Sequence, residues 1–337
     1  MPALPERLDA FMAIPERLDA FMARANAAYY AERDPFSDFT TSPEITQAFG
    51  EILGAWAAVC WQLLGRPDPV IFAEAGPGRG TLMADALRAV SQVAPDFRAA
   101  LRVHLIETSP RLREVQARCL PAQVAAWHDS LDSVPDAPLL LLANEFLDAL
   151  PIRQFVRRGE VWTERFVGAA GFVEHPADPP DRQAPNGDTV EICEPALAIA
   201  AKLAVRFAER PGIALFLDYG PAESAPGNSL QALRDGRPAD PLSEAGSADL
   251  TAHVDFAAFA RGAGGATIHG PLAQGIFLTR LGLFQRISRL ARGQAPEKAS
   301  ALIGSARRLA EPDRMGQLFK VLAVCHRGCP VPPGFEP

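Results

Sequence analysis

The chain has 337 residues, 48% of them hydrophobic, which is enough for one large domain or for a core with a substantial second part. A formal net charge of −7 argues against a general nucleic-acid binder, because such a protein presents a basic face. No apolar run approaches the roughly 20 residues that a membrane-spanning helix needs.

The N-terminus carries a near-perfect repeat of ten residues, 4–13 and 14–23, which we interpret as a local duplication that lengthens an amphipathic helix. It lacks the apolar centre of a signal peptide and contains acidic residues that a mitochondrial transit peptide avoids. We therefore expect a cytoplasmic protein in a bacterium, or a matrix protein in a eukaryote although no transit peptide is recognisable. A polar loop with several aromatics follows, and Ser42 as N-cap with Pro43 at the first position predicts a helix over 44–64.

A short apolar strand at 70–75 runs into a turn with three glycines, and a helix is expected over 81–90. Gly76, Gly78 and Gly80 let the backbone turn sharply and allow a ligand to approach the main chain. The helix N-terminus that follows offers free N–H groups. No Lys follows Gly80, which makes an NTP-binding P-loop unlikely. The element is therefore predicted to hold another nucleotide-type cofactor.

Two carboxylates beside this turn select among such cofactors. Glu74 lies two positions before the first glycine, where a carboxylate would repel a phosphate and favour a cationic ligand without phosphates. S-adenosyl-L-methionine (SAM) carries an amino group and a sulfonium. Glu107 ends the next predicted strand, 101–106, and a carboxylate there can accept both ribose hydroxyls. We predict SAM as the cofactor, with a plain tight turn as the less favoured alternative.

The third predicted strand, 124–127, follows a helix over 111–118 that Ser109 and Pro110 open. In folds that bind SAM, the segment after this strand passes beside the adenine. Asp129 or its backbone is therefore a candidate adenine contact, and a solvated loop acid is an equally favoured interpretation.

A fourth strand, 139–143, runs into a polar segment that contains Asn144, Glu145 and Asp148. Ligands in open α/β sheets bind beyond the carboxyl ends of the strands. Two carboxylates and an amide at such a strand end are costly unless they are exposed or used. These three residues are predicted to belong to the site, with a helix cap as the alternative for Asn144.

After this strand we expect a β-rich insertion (151–192), a core helix (196–209) and a fifth strand (213–217). A polar loop (221–250), a short helix (255–261), a strand (266–269), a helical stretch (273–311) and a last strand (318–325) are expected to follow. For His253 a structural role is favoured over a site role. Cys325 and Cys329 enclose a histidine, but the spacing lacks a second ligand pair, so no metal site is predicted. All five cysteines are expected to be reduced, and the proline-rich tail from Cys329 onward is expected to fray.

Six segments carry a family likeness over nearly the full length: DFTTSPE (38–44), EAGPGRGTL (74–82), ANEFLDALP (143–151), DYG (218–220), DLTAHVDF (249–256) and GQLFKVL (316–322). The chain resembles the SAM-dependent methyltransferase family that includes the mitochondrial complex I assembly arginine methyltransferase and its bacterial homologues. The first and third segments are far more specific than the glycine motif, which many methyltransferases share. One departure is that the longer glycine-containing loop usual before DFTTSPE is missing, so the lid over the cofactor is expected to be shorter or disordered.

The resemblance implies an α/β fold of class I SAM-dependent methyltransferases, Rossmann-like with a mostly parallel seven-stranded sheet. It also implies an N-terminal helical extension and inserted substrate-binding segments. We divide the chain into the extension with a cofactor-covering loop (1–66), the first half of the SAM-binding core (67–150) and the β-rich insertion (151–192). The core helix and strand five (193–220) follow, then a loop and helical substrate-binding insertion with a core strand near 266–269 (221–315), and finally the last strand with the tail (316–337).

The family further implies methyl transfer to a protein arginine, with a respiratory complex I subunit as the candidate acceptor. Glu145 and Asp148 would then orient the guanidinium by bidentate hydrogen bonds, and Asn144 would place the strand end or an N–H group. The residues expected to hold SAM are Glu74, Gly76, Pro77, Gly78, Gly80, Glu107 and Asp129, with Asp38, Thr40 and Thr41 covering it. Two alternatives stay open: a non-catalytic assembly or scaffold protein that retains the fold, and a methyltransferase acting on small molecules or nucleic acid, of which the acidic balance disfavours the latter. The oligomeric state is not indicated.

Overall fold

The computed structural model describes residues 14–33, 40–120 and 123–336, and the chain divides into two compact units. One unit comprises Met1–Phe39, Ala149–Ala196 and Ala225–Ala252, and the other comprises Thr40–Asp148, Leu197–Ser224 and His253–Pro337. The first copy of the repeat, 4–13, lies outside the described residues.

The described strands, in chain order, are β1 (Glu16–Arg17), β2 (Val70–Ala75), β3 (Leu101–Ile106), β4 (Val124–His128), β5 (Leu139–Asn144), β6 (Arg153–Arg158), β7 (Val161–Gly168), β8 (Gly171–Ala177), β9 (Thr189–Ile192), β10 (Gly212–Tyr219), β11 (Gln231–Arg234), β12 (Arg237–Ala239), β13 (Asp249–Thr251), β14 (Thr267–Ala273) and β15 (Phe319–Cys325). The described helices are α1 (Leu18–Glu32), α2 (Ser42–Ile45), α3 (Gln47–Leu63), α4 (Thr81–Val93), α5 (Pro95–Ala100), α6 (Pro110–Cys119), α7 (Glu194–Glu209), α8 (Phe256–Gly262), α9 (Gln274–Arg280), α10 (Leu283–Ala291) and α11 (Pro296–Ala310). Short helical turns also occur at Leu131–Ser133 and Pro312–Gly316.

A seven-stranded sheet in the order β14-β15-β10-β5-β2-β3-β4 organises the larger unit. Neighbours from β10 to β4 pair in parallel, while β15 runs antiparallel to both of its neighbours. Every residue of β2, β5 and β15 is buried, which explains why each sequence is apolar except for one residue, Glu74, Asn144 or Lys320. The strand order reverses between β2 and β5, so the topological switch point lies beyond their carboxyl ends. The predicted mostly parallel seven-stranded α/β sheet is confirmed.

The helix predicted over 44–64 is instead two helices, because Thr46 has an extended backbone and its hydroxyl caps the second one, α3. The prediction that Ser42 is an N-cap is also wrong, since Thr41 precedes the first helical residue. Helix α3 packs closely on α4: a Cβ at Gly50 would lie 2.6 Å from the Asp85 side chain. The sequence division placed this helix in an N-terminal extension, whereas it belongs to the same unit as the sheet.

The smaller unit contains an antiparallel sheet of β1, β6, β7, β8 and β9, as expected for the β-rich insertion. Asn26 on α1 fixes this helix by donating to the carbonyls of Ala149 and Leu250 and accepting from the Leu250 N–H. The prediction of a loop over 221–250 is wrong, because β11, β12 and β13 form a three-stranded sheet there. Asp235 and Gly236 both have positive φ at the hairpin, and an Asp-Gly pair is the sequence signal that announces such a turn.

The helical stretch predicted over 273–311 is present as α9, α10 and α11. The C-terminal tail, expected to fray, is packed through residue 336. Trp56 donates to the Pro333 carbonyl at 3.1 Å, and the Phe335 ring lies 5.2 Å from that of Phe277. The contact between the two rings and the hydrogen bond from Trp56 hold the segment despite its prolines.

Candidate functional site

The glycine turn after β2 has the backbone that its composition predicts. Gly76, Gly78 and Gly80 all have positive φ, and Gly80 is the N-cap residue of α4. A Cβ at Gly76 would lie 2.9 Å from the Phe146 ring, so the turn after β5 closes directly on the glycine turn. Side chains larger than hydrogen are excluded at this contact. Pro77 lies between these glycines, and its carbonyl accepts the Gly80 N–H at 2.7 Å.

Glu74, one residue before the end of β2, is buried, with 3% of its surface exposed. Burial raises the pKa of its carboxyl to about 8, and a hydrogen bond from the Met83 backbone opposes that rise. Its Oε2 atom has no hydrogen-bond partner among the described residues. A buried carboxyl oxygen without a partner suits a cationic group such as the ammonium of SAM, so the residues present fit that cofactor.

Glu107, directly after β3, faces the glycine turn. Its Oε1 accepts the Ser109 N–H at 2.8 Å, and its Oε2 accepts from Gln116 Nε2 at 3.2 Å. Gln116 also donates to the Gly78 carbonyl at 2.8 Å, and Trp127 fixes its amide by donating to Oε1 at 2.8 Å. Burial raises the pKa of the Glu107 carboxyl. The structure therefore links both predicted cofactor elements through Gln116, which nothing in the sequence singled out.

Asp129, after β4, is mostly exposed and pairs with Arg113 at 2.6 Å. Arg113 Nε also donates to the Glu107 carbonyl at 2.7 Å, so it joins the ends of β3 and β4. Thr40 is exposed, Thr41 is partly buried, and Asp38 lies outside the described residues.

A turn at the carboxyl end of β5 brings together the residues proposed to face the substrate. Asn144 and Asp148 are buried, and Glu145 is half-buried with a positive φ of 50°. Positive φ is uncommon for a residue with a side chain and indicates a constrained turn. Within the described part of the chain, the Asn144 Oδ1 atom has no hydrogen-bond partner.

Glu145 also holds the segment that precedes α3. Its Oε1 accepts the Ser42 N–H at 2.8 Å and the Asn144 side-chain amide at 3.0 Å. At the other end of the same segment, Glu44 accepts from the Thr81 hydroxyl at 2.6 Å. The 40–46 segment is thus tied both to the β5 turn and to the glycine turn. Burial raises the pKa of the Glu145 carboxyl.

Asp218, on β10, was missed as a site residue by the sequence analysis. Its Oδ2 accepts the backbone N–H groups of Phe146, Leu147 and Asp148 at 2.9 to 3.3 Å. It is 1% exposed, and burial raises the pKa of its carboxyl to about 7, with the nearby charge of Glu145 adding to the rise. Its position at the end of a buried strand, before Tyr-Gly, is the same signal that identified Asn144. Exposed His253 lies at this edge too, 5.5 Å from the Tyr219 ring.

In residues 14–33, 40–120 and 123–336, no helix is long and apolar enough to cross a membrane, and no group of three side chains could hold a metal ion.

Comparison with known proteins places this geometry in a family. The sequence model of the S-adenosyl-L-methionine-dependent methyltransferases matches residues 52–272. The chain belongs to this methyltransferase family. The family, fold class and cofactor predicted from the sequence are thereby confirmed.

Two curated methyltransferases are similar over most of the chain. The protein arginine methyltransferase NDUFAF7 of Danio rerio is 34% identical over 88% of this chain and 79% of its own length. The human protein of the same name is 32% identical over 88% of this chain and 76% of its own. Both are described as mitochondrial.

A solved structure is similar to the whole fold of this methyltransferase. It is a Burkholderia thailandensis protein bound to S-adenosyl-homocysteine. Its sequence is 26% identical to this chain, and the TM-score is 0.77. The similarity covers 95% of this chain and 89% of that one. The arrangement of the seven-stranded sheet is therefore shared with a protein that binds the demethylated cofactor.

Proposed function

We propose that this methyltransferase transfers a methyl group from SAM to an arginine side chain of a protein. The observation that carries the proposal is the turn after β5, which packs on Gly76 through the Phe146 ring and carries the partly buried Glu145 and the buried Asp148. The similar proteins named as protein arginine methyltransferases support the same acceptor.

SAM, when bound, supplies a methyl group on a positively charged sulfur. We assign its ammonium to the unpartnered oxygen of Glu74 and its ribose hydroxyls to Glu107. The turn of Gly76, Pro77, Gly78 and Gly80 would leave space for the amino-acid part, because no Cβ intrudes at the glycines. Asp129 would lie beside the adenine. Thr40 and Thr41 would cover the cofactor, since the 40–46 segment is tied to both turns.

An arginine arrives charged, since its pKa is above about 12. Two carboxylates can hold the planar guanidinium by paired hydrogen bonds and keep one nitrogen aligned for attack. As the bond from nitrogen to the methyl carbon forms and the bond from that carbon to sulfur breaks, one of these carboxylates would accept the proton that the nitrogen loses. We assign these contacts to Glu145 and Asp148, with Asn144 supplying its unpartnered Oδ1. Asp218 would act as a positioning residue, because it fixes the backbone of the turn that carries them.

Glu145 also has a structural function, since one oxygen already accepts two hydrogen bonds. This observation favours the alternative in which the fold serves as an assembly scaffold and Glu145 only stabilises the 40–46 segment. Replacement by Gln separates the two functions, because the amide oxygen can still accept the Ser42 N–H while the charge is lost.

The test compares wild type with Glu145→Gln and Asp148→Asn, using tritiated SAM and protein extract from cells that lack the gene. We expect each variant to lower incorporation into protein by about a hundredfold, while the Kd for SAM stays within about twofold. Glu160→Gln is the matched control, because that side chain is 99% exposed. Unchanged incorporation in both variants would support the scaffold alternative. Label in small molecules alone would support the alternative of a small-molecule methyltransferase.

We extend the proposal to a respiratory complex I subunit as the acceptor, following the family likeness of the DFTTSPE and ANEFLDALP segments. The site of action would be the bacterial cytoplasm or, in a eukaryote, the mitochondrial matrix. Comparing methylated arginines in wild-type and deletion cells tests this extension, since loss of a mark on a complex I subunit is the expected result.

A further inference from the structure

The helical stretch near the C-terminus has a charge opposite to that of the rest of the chain. Residues 280–314 contain eight Arg or Lys and three Asp or Glu, a net charge of +5 in a chain whose total is −7. The remaining residues therefore carry −12. Such a reversal over two helices indicates an electrostatic interaction surface.

One arginine of α10 pairs with a buried carboxylate, whereas Arg289 and Arg292, which directly follows the helix, are exposed. Arg286 Nε lies 2.7 Å from a carboxylate oxygen of Glu51, which is 6% exposed on α3. Leu283 and Ile287 are buried on the same side of α10. Arg289 and Arg292 are exposed, and no ion pair engages them within the described part of the chain.

Helix α11 is exposed along most of its length. Only Ala306 and Leu309 of this helix are buried, and a Cβ at Gly304 would meet no atom within 4 Å. Lys298 and Arg308 are exposed, and among the described residues neither has an ion pair. Phe284 on α10 is 37% exposed and Ile303 on α11 is 43% exposed.

The chain that leaves α11 enters β15, whose first residue Phe319 pairs with Tyr219 at the carboxyl end of β10, so the C-terminal end of α11 lies at the same edge of the sheet as the proposed catalytic turn. The charge of Arg308 is near enough to Glu145 to lower the pKa of that carboxyl, against the larger rise that burial causes. A protein that presents an arginine to the acidic turn would therefore bring its neighbouring residues toward α11 and α10. Complementary charge would require those neighbouring residues to be acidic.

We propose that the exposed sides of α10 and α11, defined by Phe284, Arg289, Arg292, Lys298, Ile303 and Arg308, bind an acidic stretch that flanks the target arginine of the acceptor protein. The inference rests on the proposed function and adds a specificity to it. The acidic turn selects the arginine, and the basic helix pair selects its surroundings. An arginine in a basic stretch would be repelled, so general nucleic-acid-binding proteins rich in arginine would be poor acceptors.

The test uses two fluorescein-labelled peptides that differ only in flanking residues. Each carries one arginine, followed by a flexible spacer and a run of glutamates or of glutamines. Anisotropy at low salt is expected to show at least about tenfold tighter binding of the glutamate peptide, and the preference should shrink as salt rises. The Arg289→Glu/Arg292→Glu variant should lose the preference. The matched control is Arg98→Glu/Arg118→Glu, which makes the same charge change away from these helices and should keep it.

Calorimetry with SAM keeps the inference separate from the proposed function. The Arg289→Glu/Arg292→Glu variant should bind SAM as wild type does, which also shows that it is folded. Equal binding of the two peptides, or a preference that survives in this variant, would overturn the inference even if both peptides are methylated. A glutamate preference with no methyl transfer to either peptide would support the docking surface and refute the proposed acceptor. Binding to phosphatidylglycerol vesicles without a peptide preference would overturn it in favour of a membrane surface.

Discussion

Replacing Glu74 with Gln changes one titrating group beneath the glycine turn and leaves its size nearly unchanged. The pKa of this carboxyl is about 8, against 4.5 for an exposed glutamate, because the side chain is buried. The difference corresponds to roughly 5 kcal/mol of free energy needed to ionise it in the folded chain. At pH 7 about nine in ten molecules would therefore carry a proton on Glu74.

Binding of SAM should reverse this preference, because an ammonium beside the unpartnered oxygen favours the carboxylate. We expect wild type to release close to one proton per SAM bound at pH 7. Calorimetry in buffers with different ionisation enthalpies measures that number directly. The Glu74→Gln variant should release none and should bind SAM about tenfold to a hundredfold more weakly. The exposed Glu160→Gln variant serves as the control and should behave as wild type.

The same group gives a second readout without cofactor. A carboxyl whose pKa is raised in the folded state contributes stability that is lost as pH rises from 4.5 through about 8. Wild type should therefore lose a free energy of unfolding of a few kcal/mol over this window that the Glu74→Gln variant keeps. Equal proton release by the two proteins, or parallel stability curves, would refute the assignment of the ammonium to Glu74.

Three further outcomes follow from the packing and the charges. Gly54→Ala should lower the free energy of unfolding by about 1–3 kcal/mol, because the added Cβ would meet the α4 backbone at 2.6 Å. Gly304→Ala should raise the free energy of unfolding slightly, because its Cβ would meet no atom within 4 Å. Urea titration measures both changes. Asp218→Ala should leave backbone N–H groups of the β5 turn unpaired and reduce kcat more than SAM affinity, and a wild-type kcat would contradict the positioning role. Burial lowers the pKa values of His104 and His128. Their contribution to the free energy of unfolding is therefore present above the ordinary pKa of 6.5 and is lost as pH falls below it. A His104→Phe/His128→Phe variant should lose less free energy of unfolding than wild type between about pH 7 and 5.5.

Local sequence predicted the strand, the glycine turn and the helix on the cofactor side of the proposed site. The strand, three glycines and a following helix at 70–93 form one continuous segment, so their pattern predicts both the turn and its ligand. Glu107 could be placed because a strand end in a parallel sheet has a fixed relation to the switch point. Gln116 could not, because its position depends on the side-chain packing of α6 against Trp127.

Long-range contacts explain what the sequence missed. Thr46 breaks a segment with a strong helical pattern, and the segment before it is held by Glu145, which is distant in the chain. Asp218 stabilises the β5 turn across the sheet, a pairing that no spacing reveals. The hairpin at Asp235 and Gly236 is different, since the Asp-Gly pair in the sequence is itself a local signal for this turn.

The most direct measurement uses SAM with a deuterated methyl group, the purified protein and extract from cells that lack the gene. Mass spectrometry then identifies the atom that receives the label. We expect deuterated methyl groups on arginine nitrogens of a protein, reduced about a hundredfold when Asp148→Asn replaces wild type. Label confined to other side chains or to small molecules, or equal labelling by the variant, would contradict it.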